Sequence, residues 1–189
     1  MNKRNIFNIL YSAIGNKNAV YGIMGNLMAE SALHANNLQN SGNTKLDMTD
    51  AIYTEQVDNG IYDNFVYDSC GYGLAQWTYW SRKQQLLNYA KSKGVSIGDE
   101  TMQTSFIVHE LTTNYKPLFN KLKACTTIQE ASDMFCKEYE RPANQSRNAL
   151  DKRVTYGIEL QKELTSSSMT KEEFLQKLSD LIEQFARAN

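Results

Sequence analysis

Between Asn18 and Glu30 the chain carries apolar residues on more than one face of a helix: Ala19, Val20, Ile23, Met24, Leu27 and Met28. An amphipathic helix turns one stripe inward, but a helix apolar around much of its circumference has to be surrounded. The sequence therefore predicts a central buried helix with other helices packed about it. Asn16 or Asn18 supplies its N-cap, and Glu30 stands at its C-terminal end.

The remaining elements are read from period and punctuation. Ile6, Ile9, Leu10, Ala13 and Ile14 have helical spacing, and Gly15 ends that element. Residues 36–50, rich in Asn, Ser, Thr and Asp, read as loop. Asp58-Asn59-Gly60 lies between two β-branched and aromatic runs, 51–57 and 61–67, and predicts a small β-hairpin with Asp68 just past its second strand. Helices follow from Ser81 to Gly94, behind Asp99 as N-cap, behind the capping box Thr127-Ile128-Gln129-Glu130, and from about Ser146 to Leu164. Lys116-Pro117 marks a break and Pro142 a helix end. The expected fold class is predominantly α (α+β), one domain over 1–165. Residues 166–189 read as a Ser-rich linker and an amphipathic helix behind Thr170-Lys171-Glu172-Glu173.

Several function classes fall away on composition. Apolar residues make up 41% of 189, enough for a packed core. Lys and Arg number 20 against 21 Asp and Glu with no basic block, which disfavours a nucleic-acid groove. Cys70, Cys125 and Cys136 are odd in number and lack ligand spacing, so neither a disulfide framework nor a metal site is expected. With only His34 and His109, Cys-His chemistry has little support. Asn5, Asn8, Ser12 and Asn16 interrupt the N-terminal run, so no secretory signal is expected, and no stretch has membrane-spanning length.

Chemistry concentrates at Glu30. The negative end of a helix dipole and partial burial both favour the neutral form of a carboxyl group there, as a general acid requires. Asp68 is the best second carboxylate, with Asp47, Glu55 and Asp63 as competitors. Inverting glycoside hydrolysis uses two carboxyls about 6.5–9.5 Å apart, and a hairpin end facing a helix end suits that gap; the alternative for Asp68 is to cap the following turn. Gly71-Tyr72-Gly73-Leu74-Ala75-Gln76-Trp77 offers close backbone approach, an amide and flat rings, which suit a sugar groove. A tight turn with core aromatics explains the same residues. Tyr139-Glu140-Arg141-Pro142 falls at a helix end, where polar side chains point into a cleft or form a salt-bridged terminus.

Gly25-Asn26-Leu27-Met28-Ala29-Glu30-Ser31, Gly71 to Thr78, Arg82-Lys83 and Tyr139 to Pro142 resemble, in this order, the phage tail lysin family: lysozyme-like catalytic domains of phage tail proteins, endolysins and related cell-wall hydrolases, akin to goose-type lysozymes and soluble lytic transglycosylases. The resemblance spans about residues 5–164. It implies a lysozyme-like helical domain that cleaves the β-1,4 bond between N-acetylmuramic acid and N-acetylglucosamine in peptidoglycan. Its general acid would be Glu30, next to Ser31, with Asp68 loosely matching an upstream aspartate. Tyr72, Gln76, Trp77 and Tyr139 would hold the glycan with Ser31. Thr78 stands where goose-type enzymes have a second acid, which leaves transglycosylation open as the alternative; a non-catalytic wall-binding module is another. The resemblance implies no metal or organic cofactor and glycan strands as the partner, with further wall-binding or tail domains in the parent chain. Release at lysis or carriage on a virion would bring the protein to the wall.

Overall fold

The computed structural model describes residues 1–166. Helix α1 (Lys3–Ile14) starts at Asn2, whose side chain accepts from Asn5 N, and stops at Gly15 in the left-handed region. Helix α2 (Lys17–Ser31) starts at Asn16, whose side chain accepts from Asn18 N and Ala19 N. As its sequence requires, α2 is the buried centre: Val20, Ile23, Met24 and Leu27 have no exposed surface. It packs chiefly on α8 (Ile128–Phe135) and on α1. A ninth helix among the described residues, α9 (147–166), crosses α2 at Gly25. A Cβ on Gly25 would lie 2.8 Å from Gly157 N, and one on Gly157 would lie 2.7 Å from Tyr21 O. These two glycines let the backbones touch, and they bring α9 against the turn of α2 that precedes Glu30.

The other helices form the shell. Helix α5 (Trp80–Lys93) ends at Gly94, and α6 (Glu100–Thr113) begins at Asp99, which accepts from Met102 N. Lys116-Pro117 opens helix α7 (Lys116–Ala124), because proline fits the first turn of a helix as readily as it breaks one. Thr127 caps α8, which passes into a π-helical turn, Cys136–Glu140, closed by Arg141 at φ 52°.

The hairpin expected at 51–67 does not form. Asp50–Asp58 is helix α4, capped by Thr49, and Asn64–Val66 is a 3-10 turn. Tyr53 and Val57, four residues apart, supply the buried face of α4. Asn59-Gly60 ends this helix: Gly60 N donates to Val57 O and Ile61 N to Gln56 O. An isolated two-stranded hairpin is marginal in water, whereas the helix buries the same apolar residues and satisfies its own backbone, so packing overrides β-propensity. Among the described residues the only β structure is a pair of isolated bridges, Leu38 with Tyr72 and Tyr72 with Trp77. Asn40–Leu46, expected as loop, is the short helix α3. The linker and helix expected at 166–189 lie, beyond residue 166, outside the described residues; Ser166 itself is helical, within α9.

Candidate active site

Glu30 lies in a groove of three joined sections. The central one, about 660 Å³, runs between the 75–82 segment and residues 140–143, with Glu30 and Glu140 in its wall. A second section of about 360 Å³ shares Glu30, Gln39 and Gln76 with it. A third, about 510 Å³, shares Ser69, Thr78 and Tyr79 and adds Tyr67 and Trp80. Glu30 thus stands where two sections meet.

Local structure fixes this corner. Ser31 is buried, and its Oγ lies 2.9 Å from Leu74 O and 3.1 Å from Leu27 O, which ties the end of α2 to the 71–77 loop. The loop itself is pinned at Gly73 (φ 76°), where a Cβ would run into the Gln103 side chain. Buried Gln103 accepts from Leu74 N and donates to Ala35 O and Ile97 O. Gln76 takes a left-handed backbone (φ 46°), and its Nε2 is spent on Asn37 O, Asn37 Oδ1 and Gly73 O. A non-glycine residue in that region is a strain that the surrounding structure must hold.

Three charged groups converge. Arg153 of α9 forms an ion pair with Glu30 through Nη2 and Oε1; the side chains are 11% and 19% exposed. Glu140, delivered by the π-helical turn, has Oε1 buried without a hydrogen-bond partner. Burial first, and the Glu30 charge second, push its carboxyl well above the usual carboxylate range, against the pull of Arg82 and Arg153. Among the described residues, the buried side-chain polar atoms with no partner are Glu140 Oε1, Arg153 Nε and Asn26 Oδ1. Glu140 and Arg153 both face Glu30, whereas Asn26, one turn before Glu30 on α2, turns its amide to Gly22 O and to Ser132 on α8. Unsatisfied buried groups are rare, and clustering marks a site kept for something other than stability.

Other residues expected at the site turn out to support it from behind. Asp68 lines no section of the groove. It is 3% exposed and held by Lys83 Nζ at 2.5 Å, Tyr53 OH at 2.5 Å and Cys70 N at 2.9 Å. Tyr72, Trp77 and Tyr139 are at most 1% exposed, so none offers a ring face to a sugar. Tyr72 OH bonds Thr54 Oγ1 at 2.7 Å. Trp77 Nε1 and Tyr139 OH both donate to buried Glu110, at 2.9 and 2.6 Å, and Arg82 closes the cluster with Nε and Nη2 on the same carboxylate. Of the expected residues the structure places Glu30 and Gln76 in the groove and Ser31 directly beneath it. Sequence reasoning passed over Arg153, for which no local motif exists. Glu140 was legible only as part of a polar helix end.

A sequence model of the phage tail lysozyme family matches residues 1–180. The chain belongs to the phage tail lysozyme family. A relative, Morphogenesis protein 1 of Bacillus phage B103, is 26% identical over 191 residues, covering 96% of this chain. The chain spans only 44% of that relative's length.

Proposed function

We propose that this member of the phage tail lysozyme family cuts the glycan of peptidoglycan at the β-1,4 bond between N-acetylmuramic acid and N-acetylglucosamine, with Glu30 as general acid. The observation that carries this reading is Glu30 at the junction of two groove sections, paired with Arg153 and beside the unpartnered buried carboxyl of Glu140. Family membership supports the substrate class.

Arg153 stabilises the carboxylate that Glu30 becomes after donation. Glu140, a buried carboxyl that keeps its proton, adds no negative charge beside it. In the reaction Glu30 protonates the bridging oxygen, the bond to the anomeric carbon breaks, water adds to that carbon and releases a proton to solvent, and Glu30 takes up a proton from solvent to begin the next turnover.

A second reading is favoured by the withdrawal of Asp68 into an ion pair and by Thr78 in the groove wall. No aspartate then faces Glu30 to activate water, and the substrate's own 6-hydroxyl attacks instead, giving a lytic transglycosylase. Mass spectrometry of digested walls separates the two: a reducing muramic end reports hydrolysis, a 1,6-anhydro end transglycosylation. The test of the common claim is Glu30→Gln, expected to slow clearing of a wall suspension by at least about 10²-fold. Clearing at the wild-type rate removes Glu30 from the chemistry, and a wild-type chain that binds walls without clearing them is a binding module. We place its action at the cell wall, reached by release at lysis or on a virion, within a parent chain that carries further domains.

A further inference from the structure

We infer that the groove section formed by Tyr67, Tyr79 and Trp80 is a binding subsite for a pyranose ring of the glycan strand, away from the bond being cut. This rests on the reading of the central groove as a glycan-cleaving site. The four aromatic side chains exposed among the described residues are Tyr11 (38%), Tyr67 (68%), Tyr79 (64%) and Trp80 (49%), and the last three meet in one place. Tyr67 and Trp80 are nearly parallel, 25° between planes, with centroids 6.2 Å apart, too far for either to bury the other's face. Tyr79 lies beside Trp80 at 6.0 Å.

These rings are held out against local preference. Tyr79 occupies the N-cap of α5, where Ser, Thr, Asp or Asn would bond the first amides, and it makes no side-chain cap. Ser69, in the wall shared with the central section, takes a left-handed backbone at φ 59°. The buried Asp68–Lys83 ion pair explains how the arrangement persists: Asp68 follows Tyr67, Lys83 lies one turn after Trp80, and their 2.5 Å contact locks the two ring-bearing segments together. An exposed aromatic pair that is rigidly backed, strained in its frame and continuous with the cleavage groove suits the apolar face of a sugar. Shared Ser69, Thr78 and Tyr79 make the path from Glu30 unbroken. The occupant is therefore the strand that lies across Glu30.

The test compares the wild-type 189-residue chain with Trp80→Ala, Tyr67→Ala and Trp80→Phe on long glycan strands stripped of peptide and on purified tetrasaccharide. Each alanine variant should raise KM for long strands on the order of tenfold, the size of one aromatic contact, with kcat and tetrasaccharide turnover unchanged; Trp80→Phe should restore most of the loss. Unchanged KM on long strands overturns the subsite. A second readout works without turnover. The chain has two Trp, Trp77 is buried and Trp80 exposed, so in Glu30→Gln an emission change on adding long strands reports Trp80. The change should vanish in Glu30→Gln with Trp80→Phe. If the wild type cuts no glycan, the cleavage reading fails, and the titration still decides the subsite: no emission change refutes it.

Discussion

Replacing Asp68 by Asn separates a structural from a chemical role for this carboxylate. Asp68 and Lys83 have side chains 1% and 0% exposed, 2.5 Å apart. Removing one partner of such a pair leaves a buried unpaired charge, at a cost of about 3–5 kcal/mol. Burial already pulls Lys83 below its ordinary range, and Asp68 is the main influence raising it. Without Asp68 the ammonium falls further and sheds its proton more cheaply, which places the loss near the lower end, about 3 kcal/mol. For a chain of this size that lowers Tm by about 6–12 °C, while a domain of ordinary stability stays folded at 25 °C. Circular dichroism melts give Tm, and turnover of purified tetrasaccharide at 25 °C gives activity. The expected outcome is a large fall in Tm with short-substrate turnover retained. Adding Lys83→Met should recover part of the stability, because a neutral pair leaves no charge to solvate. An Asp68→Asn chain that melts like wild type yet no longer turns over would refute the reasoning and return Asp68 to the chemistry.

Glu140→Gln tests the stored proton. The folded chain keeps that proton at pH values where the unfolded chain releases it, so stability is full below the ordinary carboxylate range and falls as pH rises toward Glu140's higher value. The variant should melt at the higher temperature toward pH 8 and match wild type near pH 4; superimposable profiles of Tm against pH would dismiss the role. Gly25→Ala inserts a methyl group 2.8 Å from Gly157 N. It should cost about 1–3 kcal/mol by overpacking and lower turnover by shifting Arg153 from Glu30, both read from urea unfolding and wall clearing.

What the sequence displayed well was local. The caps at Asn16, Asp99 and Thr127 and the stops at Gly15 and Gly94 all act where their chemistry predicts. The apolar circumference of α2 announced a surrounded helix. Two kinds of information were hidden. The 51–57 run carries Ile, Tyr, Thr and Val, which suit a strand, and only the burial of Tyr53 with Val57 on one face decides for a helix. Among aromatics, sequence cannot distinguish a ring held in the core from one held out in water. Tyr72 and Trp77 were natural choices for a sugar platform and went inside, while Tyr67, Tyr79 and Trp80 stayed out. Arg153 reaches Glu30 across 123 residues, through a crossing that exists because two glycines face each other.

The first turns of α5 show how the pieces work together. Arg82 and Lys83 are neighbours in sequence and therefore point about 100° apart around the helix. Lys83 turns to Asp68 and fixes the segment that carries Tyr67. Arg82 turns to Glu110, which also receives Tyr139 and Trp77, and so fixes the π-helical turn that delivers Glu140 and the end of the 71–77 loop. Each cluster is largely buried and charged, and a hydrophobic replacement of either would often be at least as stable. What apolar packing supplies poorly is direction: it fills space but does not aim one side chain at another. The Asp68–Lys83 pair stays behind the groove and the Arg82–Glu110 pair reaches it through Arg82, so their worth lies in holding the wall on either side of Thr78 and Tyr79 in one geometry. A glycan laid along that wall would meet the rings of one section and the carboxyls of the next at a fixed interval, which is what cutting a regular polymer at one bond type requires.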